Sequence, residues 1–181
     1  MDPIRLWTIG HSTRTFDDFL ALLQGADIEA LADVRRFPGS RRLPHFGQDA
    51  LSQALAQAGV VYEHVAELGG RRQARKDSPN TAWRDPAFRG YADYMMTDAF
   101  RAGIARLLSL AEQKRTAIMC AEALWWQCHR GLIADHLKAG GHDVWHILGP
   151  GKIEPHPFTS AARIVDEALS YASPEGDLFG R

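Results

Sequence analysis

TAIMCAEALWWQCHRGLIADHLKAGGHDVWHIL, residues 116–148, decides the fold. Thr116 to Cys120 is a short apolar run of strand type, and Val144 to Leu148 is another. Between them, about Cys128 to Ala139 reads as a helix closed by Gly140-Gly141. Strand, helix, strand is the repeating unit of a parallel sheet covered by helices.

The same alternation extends towards the N-terminus. Arg5 to Ile9 reads as a strand stopped by Gly10. Thr15 caps a helix in which Phe16, Phe19, Leu20 and Leu23 fall at helical spacing, and Gly25 ends it. Ile28 to Val34 is a second strand, Ala50 to Ala58 a second helix, and Val60 to Val65 a third strand. Asp85-Pro86 starts one broken or two successive helices running to about Gln113. Ala161 to Leu169 reads as a last helix. The expected fold is α/β: one three-layer domain over residues 1–172, a mainly parallel sheet of about five strands with helices on both faces, and a C-terminal tail over 173–181.

The chain has 181 residues, 45% of them hydrophobic and 24% charged, which excludes a disordered chain. No apolar run approaches the roughly 18 residues of a membrane span. The start, Met1-Asp2-Pro3-Ile4-Arg5, lacks the basic region of a signal peptide, and two cysteines make no disulfide framework. The expected compartment is the cytoplasm. Residues 33–46 and 71–89 carry ten of the 21 basic and three of the 22 acidic side chains. That is a local net charge of +7 in a chain of net charge -1. If these two loops meet, they form a positive rim suited to an anionic small molecule or a nucleic acid; otherwise they are solvated arginine-rich loops.

Ligands of open parallel sheets bind at the carboxyl ends of the strands. Four segments bring polar groups there: Gly10-His11-Ser12; Asp33-Val34-Arg35; Tyr62 and His64 with Gly69-Gly70-Arg71; and Cys120-Ala121-Glu122. Cys128-His129-Arg130 opens a helix, where backbone N–H groups favour an anion and a thiolate. Cys128 or Cys120 is thus a candidate nucleophile, with His129 or His11 handling protons and Glu122 as acid or base. Two thiols eight residues apart can also act as attacking and resolving cysteines. Arg130, Arg35 and Arg71 are candidate anion ligands, with Ser12, Asp33, Tyr62, Gly69 and Gly70 at the same edge. The bland alternatives are a buried, inert cysteine at each position, a turn histidine at 11 and anchoring roles for Asp33 and Glu122. Trp125 and Trp126 pack on the core, or else wall a pocket or stack a base. The cysteines with His129 and His11 or His64 match no common zinc spacing, and His-Glu-x-x-His, Walker A and G-x-G-x-x-G are absent. Neither metal nor cofactor is expected.

Thr8-Ile9-Gly10-His11-Ser12, Asp33-Val34-Arg35-x-x-Pro38-x-Ser40, Leu68-Gly69-Gly70 and Cys120-x-Glu122-x5-Cys128-His129-Arg130 together resemble the bacterial family catalogued as domain of unknown function 488. The likeness runs from about Leu6 to Phe158 and implies no activity. A remoter resemblance is to rhodanese-type sulfurtransferases. It rests on Asp33-Val34-Arg35, the strand-end Cys120, Arg130 at a helix start and Gly141-x-x-Val144. It implies a persulfide-carrying cysteine at Cys120, although the loop to Arg130 is longer, lacks the family's glycine and holds a second cysteine.

The expectation is an enzyme, a cysteine-dependent transferase or hydrolase acting on a phosphate- or sulfur-bearing anion. The alternative is a nucleic-acid-binding module of DNA repair or processing. Glu175-Gly176-Asp177-Leu178-Phe179 partly resembles the peptide by which bacterial repair proteins dock on the sliding clamp. The favoured expectation is that Leu178 and Phe179 fold back as a local latch.

Overall fold

The computed structural model describes residues 2–174. Five strands run parallel: β1 (Arg5–Gly10), β2 (Ala30–Asp33), β3 (Val61–His64), β4 (Thr116–Cys120) and β5 (Asp143–Gly149). A sixth, β6 (Lys152–Pro155), pairs antiparallel with β5 and completes the order β3-β2-β4-β1-β5-β6. The helices are α1 (Phe16–Gly25), α2 (Gln48–Gln57), α3 (Pro86–Tyr94), α4 (Asp98–Gln113) and α5 (Arg130–Ala139).

Strand residues alternate between two core clusters, as a pleated strand buried on both faces requires. Trp7, Ile9, Leu31, Ala117, Met119 and Ile147 pack with Phe19, Leu22 and Leu23 of α1 and Leu51 and Leu55 of α2. Leu6, Ala32, Ile118, Cys120 and Val144 pack with Tyr91 of α3, Phe100 and Leu107 of α4, and Leu132 and Ile133 of α5. Local capping agrees with the packing. The Thr15 side chain accepts from the Asp18 N–H, and Asp85 accepts from Ala87 and Phe88 ahead of Pro86. Thr97 restarts the chain as α4, so the region to Gln113 is two helices.

The C-terminal helix expected over 161–169 is absent. That stretch is a hairpin of β7 (Arg163–Val165) and β8 (Ala168–Ser170). Its turn residues, Asp166 and Glu167, both have positive φ (51° and 65°), the twist a tight hairpin needs. β6 likewise exceeds the expected five strands; Gly151 at φ 68° turns the chain back from β5. The clamp-like peptide beginning at Glu175 lies outside the described residues.

The connections place the site. After β1 the chain leaves through α1 towards β2. After β4 it leaves through α5, on the other face, towards β5. Adjacent strands whose chains depart in opposite directions leave a crevice at their carboxyl ends. Gly10 and Cys120, paired in register, end those two strands.

Candidate active site

The β1–β4 ladder continues past the strand ends: the N–H groups of His11 and Ser12 donate to the carbonyls of Cys120 and Ala121, both at 2.9 Å. The chain after Cys120 then crosses directly over Gly10. A Cβ there would stand 1.7 Å from the Glu122 carbonyl oxygen, so only glycine allows the crossing.

That crossing turns the carbonyls of Glu122 and Ala123 towards Arg130. Arg130 is fully buried. Its Nη1 donates to Cys120 Sγ at 2.7 Å and to Glu122 O at 2.5 Å, Nη2 to Ala123 O at 3.0 Å, and Nε to Thr8 Oγ1 at 3.1 Å. Arg130 is therefore an anchor beneath the site, seated away from the position of a substrate ligand expected from its place beside Cys128.

Above it opens a cavity of about 930 Å³, lined by His11, Ser12, Arg35, Gly70 and Arg71 and by Cys120, Glu122, Cys128 and His129. Both basic loops reach it: Arg36, Phe37 and Arg42 come from the first, Arg71 and Phe88 from the second. Among the described residues the guanidiniums of Arg42 and Arg71 have no hydrogen-bond or ion-pair partner, and both are exposed. Asp33, Tyr62 and Gly69 stand behind this lining.

Cys128 immediately precedes His129, the N-cap of α5. The Arg130 backbone N–H points at Cys128 Sγ at 3.5 Å. His129 Nε2 lies 2.9 Å from the Val34 carbonyl, which can only accept, so Nε2 carries the proton and Nδ1 holds a lone pair. Nδ1 is 3.4 Å from Cys128 Sγ, a thiol–base contact. Burial pushes the His129 pKa down, so the imidazole is neutral and its Nδ1 lone pair faces the thiol. Gly70 permits this approach: a Cβ there would meet His129 Nδ1 at 2.8 Å.

The two thiols line the same cavity, and the Cys120 thiol donates to the Glu122 carbonyl at 3.6 Å. Burial pushes the Cys128 pKa up, but the neighbouring Cys120 thiol, the Arg130 charge and its N–H outweigh burial and leave it lowered. Burial, reinforced by the neighbouring Cys128, pushes Cys120 well up. Of the two thiols, Cys128 is therefore the one that ionises more readily.

Arg35 is the other oriented group. Its Nε and Nη2 grip the two oxygens of buried Asp33 at 2.9 and 2.8 Å, and Tyr62 donates to the same carboxylate at 2.5 Å. Burial disfavours the Arg35 charge, but Asp33 more than offsets this and the pKa rises. His11 Nδ1 donates to Ser12 O at 2.8 Å, leaving Nε2 to face Arg35 Nη1 at 3.5 Å. Its ring stacks on Phe46 at 4.4 Å. Both nitrogens of His11 are thus engaged, which suits a support for Arg35 better than a mobile proton carrier.

Among the described residues no three His, Cys, Asp or Glu side chains are grouped as metal ligands, and no helix is long and apolar enough to cross a membrane. The sequence reading overlooked a buried chain behind Arg130. His156 Nε2 donates to Asp135 at 2.7 Å, His146 Nε2 to His156 Nδ1 at 2.8 Å, and Thr8 Oγ1 to His146 Nδ1 at 2.5 Å. These tautomers give every donor from Arg130 to Asp135 one acceptor. Trp125 lies flat on His146 at 4.7 Å, while Trp126 is 51% exposed. The available signal was Asp135, a charged residue three positions after Leu132 on the helix face that carries the apolar residues.

The family described as domain of unknown function DUF488 matches residues 15–137. The chain belongs to the DUF488 family. Comparison with curated proteins and with solved structures found no match. The DUF488 span holds Asp33, Arg35, Gly70, both cysteines and His129; it begins after His11 and ends before β5.

Proposed function

We propose that this DUF488 protein is a cysteine-dependent enzyme acting on an anionic substrate, with Cys128 as nucleophile and His129 as its base. The single observation that carries the reading is the Cys128 Sγ–His129 Nδ1 contact on the wall of an arginine-rimmed cavity. His129 Nδ1 takes the thiol proton, and the thiolate is stabilised by the Arg130 N–H, the Cys120 thiol and the start of α5. Arg35, held in one orientation by Asp33, receives the substrate's anionic group; Arg42 and Arg71 add charge at the mouth. Glu122, exposed on the cavity wall, is placed to exchange a proton with the leaving group. The rhodanese-like reading keeps sulfur-bearing substrates within this class, with the nucleophile moved from Cys120 to Cys128. The proposed compartment remains the cytoplasm, where free thiols persist.

Alkylation by iodoacetamide tests the reading. With labelling at each cysteine read separately by mass spectrometry in the unaltered protein, Cys128 should label with a pH midpoint clearly below the free-thiol value of about 8.5. His129→Gln should move that midpoint upward. A Cys128 midpoint at or above the free value overturns the proposal.

A nucleic-acid-binding role has its own supporting observation. Phe37 is 64% exposed on the cavity wall, with the Arg36 guanidinium over its ring at 5.3 Å, beside Arg42 and Arg71. Stacking plus free cations is how single strands are held. A single-stranded oligonucleotide should then bind with a log–log salt slope of about -0.7 per phosphate contact, and Phe37→Ala should weaken it. No binding at low salt removes this role and leaves the small anion.

A further inference from the structure

We propose that Cys120 is the resolving partner of Cys128, making the site a dithiol that reduces the disulfide of an anionic low-molecular-weight thiol. This rests on Cys128 being the nucleophile, as proposed above. The geometry that carries it is the sharing of Arg130 by both sulfurs. Its backbone N–H faces Cys128 Sγ at 3.5 Å, and its Nη1 faces Cys120 Sγ at 2.7 Å. A buried cysteine with a bland structural role needs no cation against its sulfur. A sulfur that must become a thiolate during a reaction does.

The steps balance without a further reagent. The Cys128 thiolate attacks one sulfur of the substrate disulfide; that S–S bond breaks, the distal thiolate leaves, and a Cys128–substrate disulfide forms. Cys128 then carries no charge. Burial still disfavours the Cys120 charge, but the contribution of the Cys128 charge is gone, while the Arg130 cation against Cys120 remains. The departing thiolate takes from His129 Nδ1 the proton that came from Cys128, so Nδ1 is again free and receives the Cys120 proton. The Cys120 thiolate attacks Cys128 Sγ and expels the second substrate thiolate. The substrate disulfide gains two electrons and the cysteine pair loses two. The arginine rim selects substrates bearing carboxylate or similar anions near the disulfide.

Dithiobis-nitrobenzoate, an anionic aromatic disulfide with a coloured leaving thiolate, is the probe. The chain has two cysteines, so its products are unambiguous. Wild type should release two coloured thiolates per chain, the second at a rate independent of reagent concentration, and finish as a monomer lighter by two hydrogens with no adduct. Cys120→Ser should release one and retain the adduct on Cys128, halving the yield. A wild-type protein that stops at one thiolate with a stable adduct, or forms a disulfide-linked dimer, overturns the pairing while a low Cys128 alkylation midpoint keeps it as nucleophile. A Cys128 that neither reacts with this probe nor alkylates below the free-thiol midpoint overturns both.

Discussion

Arg130→Met should lower the unfolding free energy by about 1–3 kcal/mol. Methionine fills a similar volume, so the loss is polar. Four acceptors lose the Arg130 donor: Glu122 O, which keeps only the weak Cys120 thiol at 3.6 Å, Ala123 O, Thr8 Oγ1 and Cys120 Sγ. Thr8 retains its hydrogen bond to His146, and sulfur accepts weakly, so the two carbonyls dominate. A buried carbonyl stripped of its partner costs about 1–3 kcal/mol; these two are part-buried and stand at the lower end, and relief from burying a cation offsets part of the sum. Arg130→Lys keeps the charge, but one ammonium cannot occupy the four directions of the fork, so it should fall between methionine and wild type. Urea unfolding of the three proteins decides the matter. A methionine variant within about 0.5 kcal/mol of wild type, the spread of ordinary surface substitutions, would remove Arg130 as the anchor of the loop after β4.

The same residue shows where sequence reading reaches its end. The alternation of strand and helix from Arg5 to Gly149 is written in local patterns: apolar runs, the Thr15 and Asp85 caps, and glycines after helices. Chain order then brings His11, Arg35, Cys120 and Cys128 to one edge, because parallel strands all end on the same side. What local pattern does not carry is the direction of Arg130. An arginine beside a cysteine at a helix start has the form of an anion ligand. It turns inward because the loop after β4 crosses Gly10 and offers it two carbonyls, a contact made between segments far apart in sequence.

The hairpin at 163–170 was hidden for a different reason. Tight hairpins announce themselves by Asn-Gly or Asp-Gly at the turn, and here Asp166-Glu167 fills both positive-φ positions. Ala161, Ile164, Val165, Ala168 and Leu169 meanwhile fall at helical spacing. Both signals pointed the same wrong way. Tyr171, just after the hairpin, is held by its hydroxyl donating to Asp135 at 2.6 Å, a contact no periodicity encodes.

That Asp135 network should make the fold acid-labile through His146. His146 is fully buried, accepts from Thr8, donates to His156 and lies under Trp125. Burial, then the nearby His156 and Arg130, push its pKa from 6.5 down to about 2. Above pH 6.5 the ring is neutral in both folded and unfolded chains and adds no pH dependence. Below it the unfolded chain binds a proton that the folded chain refuses, so stability falls as pH falls, by about 1.4 kcal/mol per pH unit. From about pH 6.5 to about pH 4 this one side chain withdraws roughly 3 kcal/mol. His11, His129 and His136 are shifted the same way and steepen the loss. His146→Gln keeps a donor and an acceptor near the same place but cannot titrate. Its absolute stability will differ, so the slope is the readout: unfolding free energy against pH should flatten by about 1.4 kcal/mol per unit relative to wild type. Parallel slopes would mean His146 protonates freely in the folded protein, and the buried chain from Thr8 to Asp135 would then not be closed. Because Thr8 also holds Arg130 Nε, acid opening of this chain should loosen the thiol site before the rest of the sheet. Cys128 alkylation in mild acid should then respond to the His146 substitution as well.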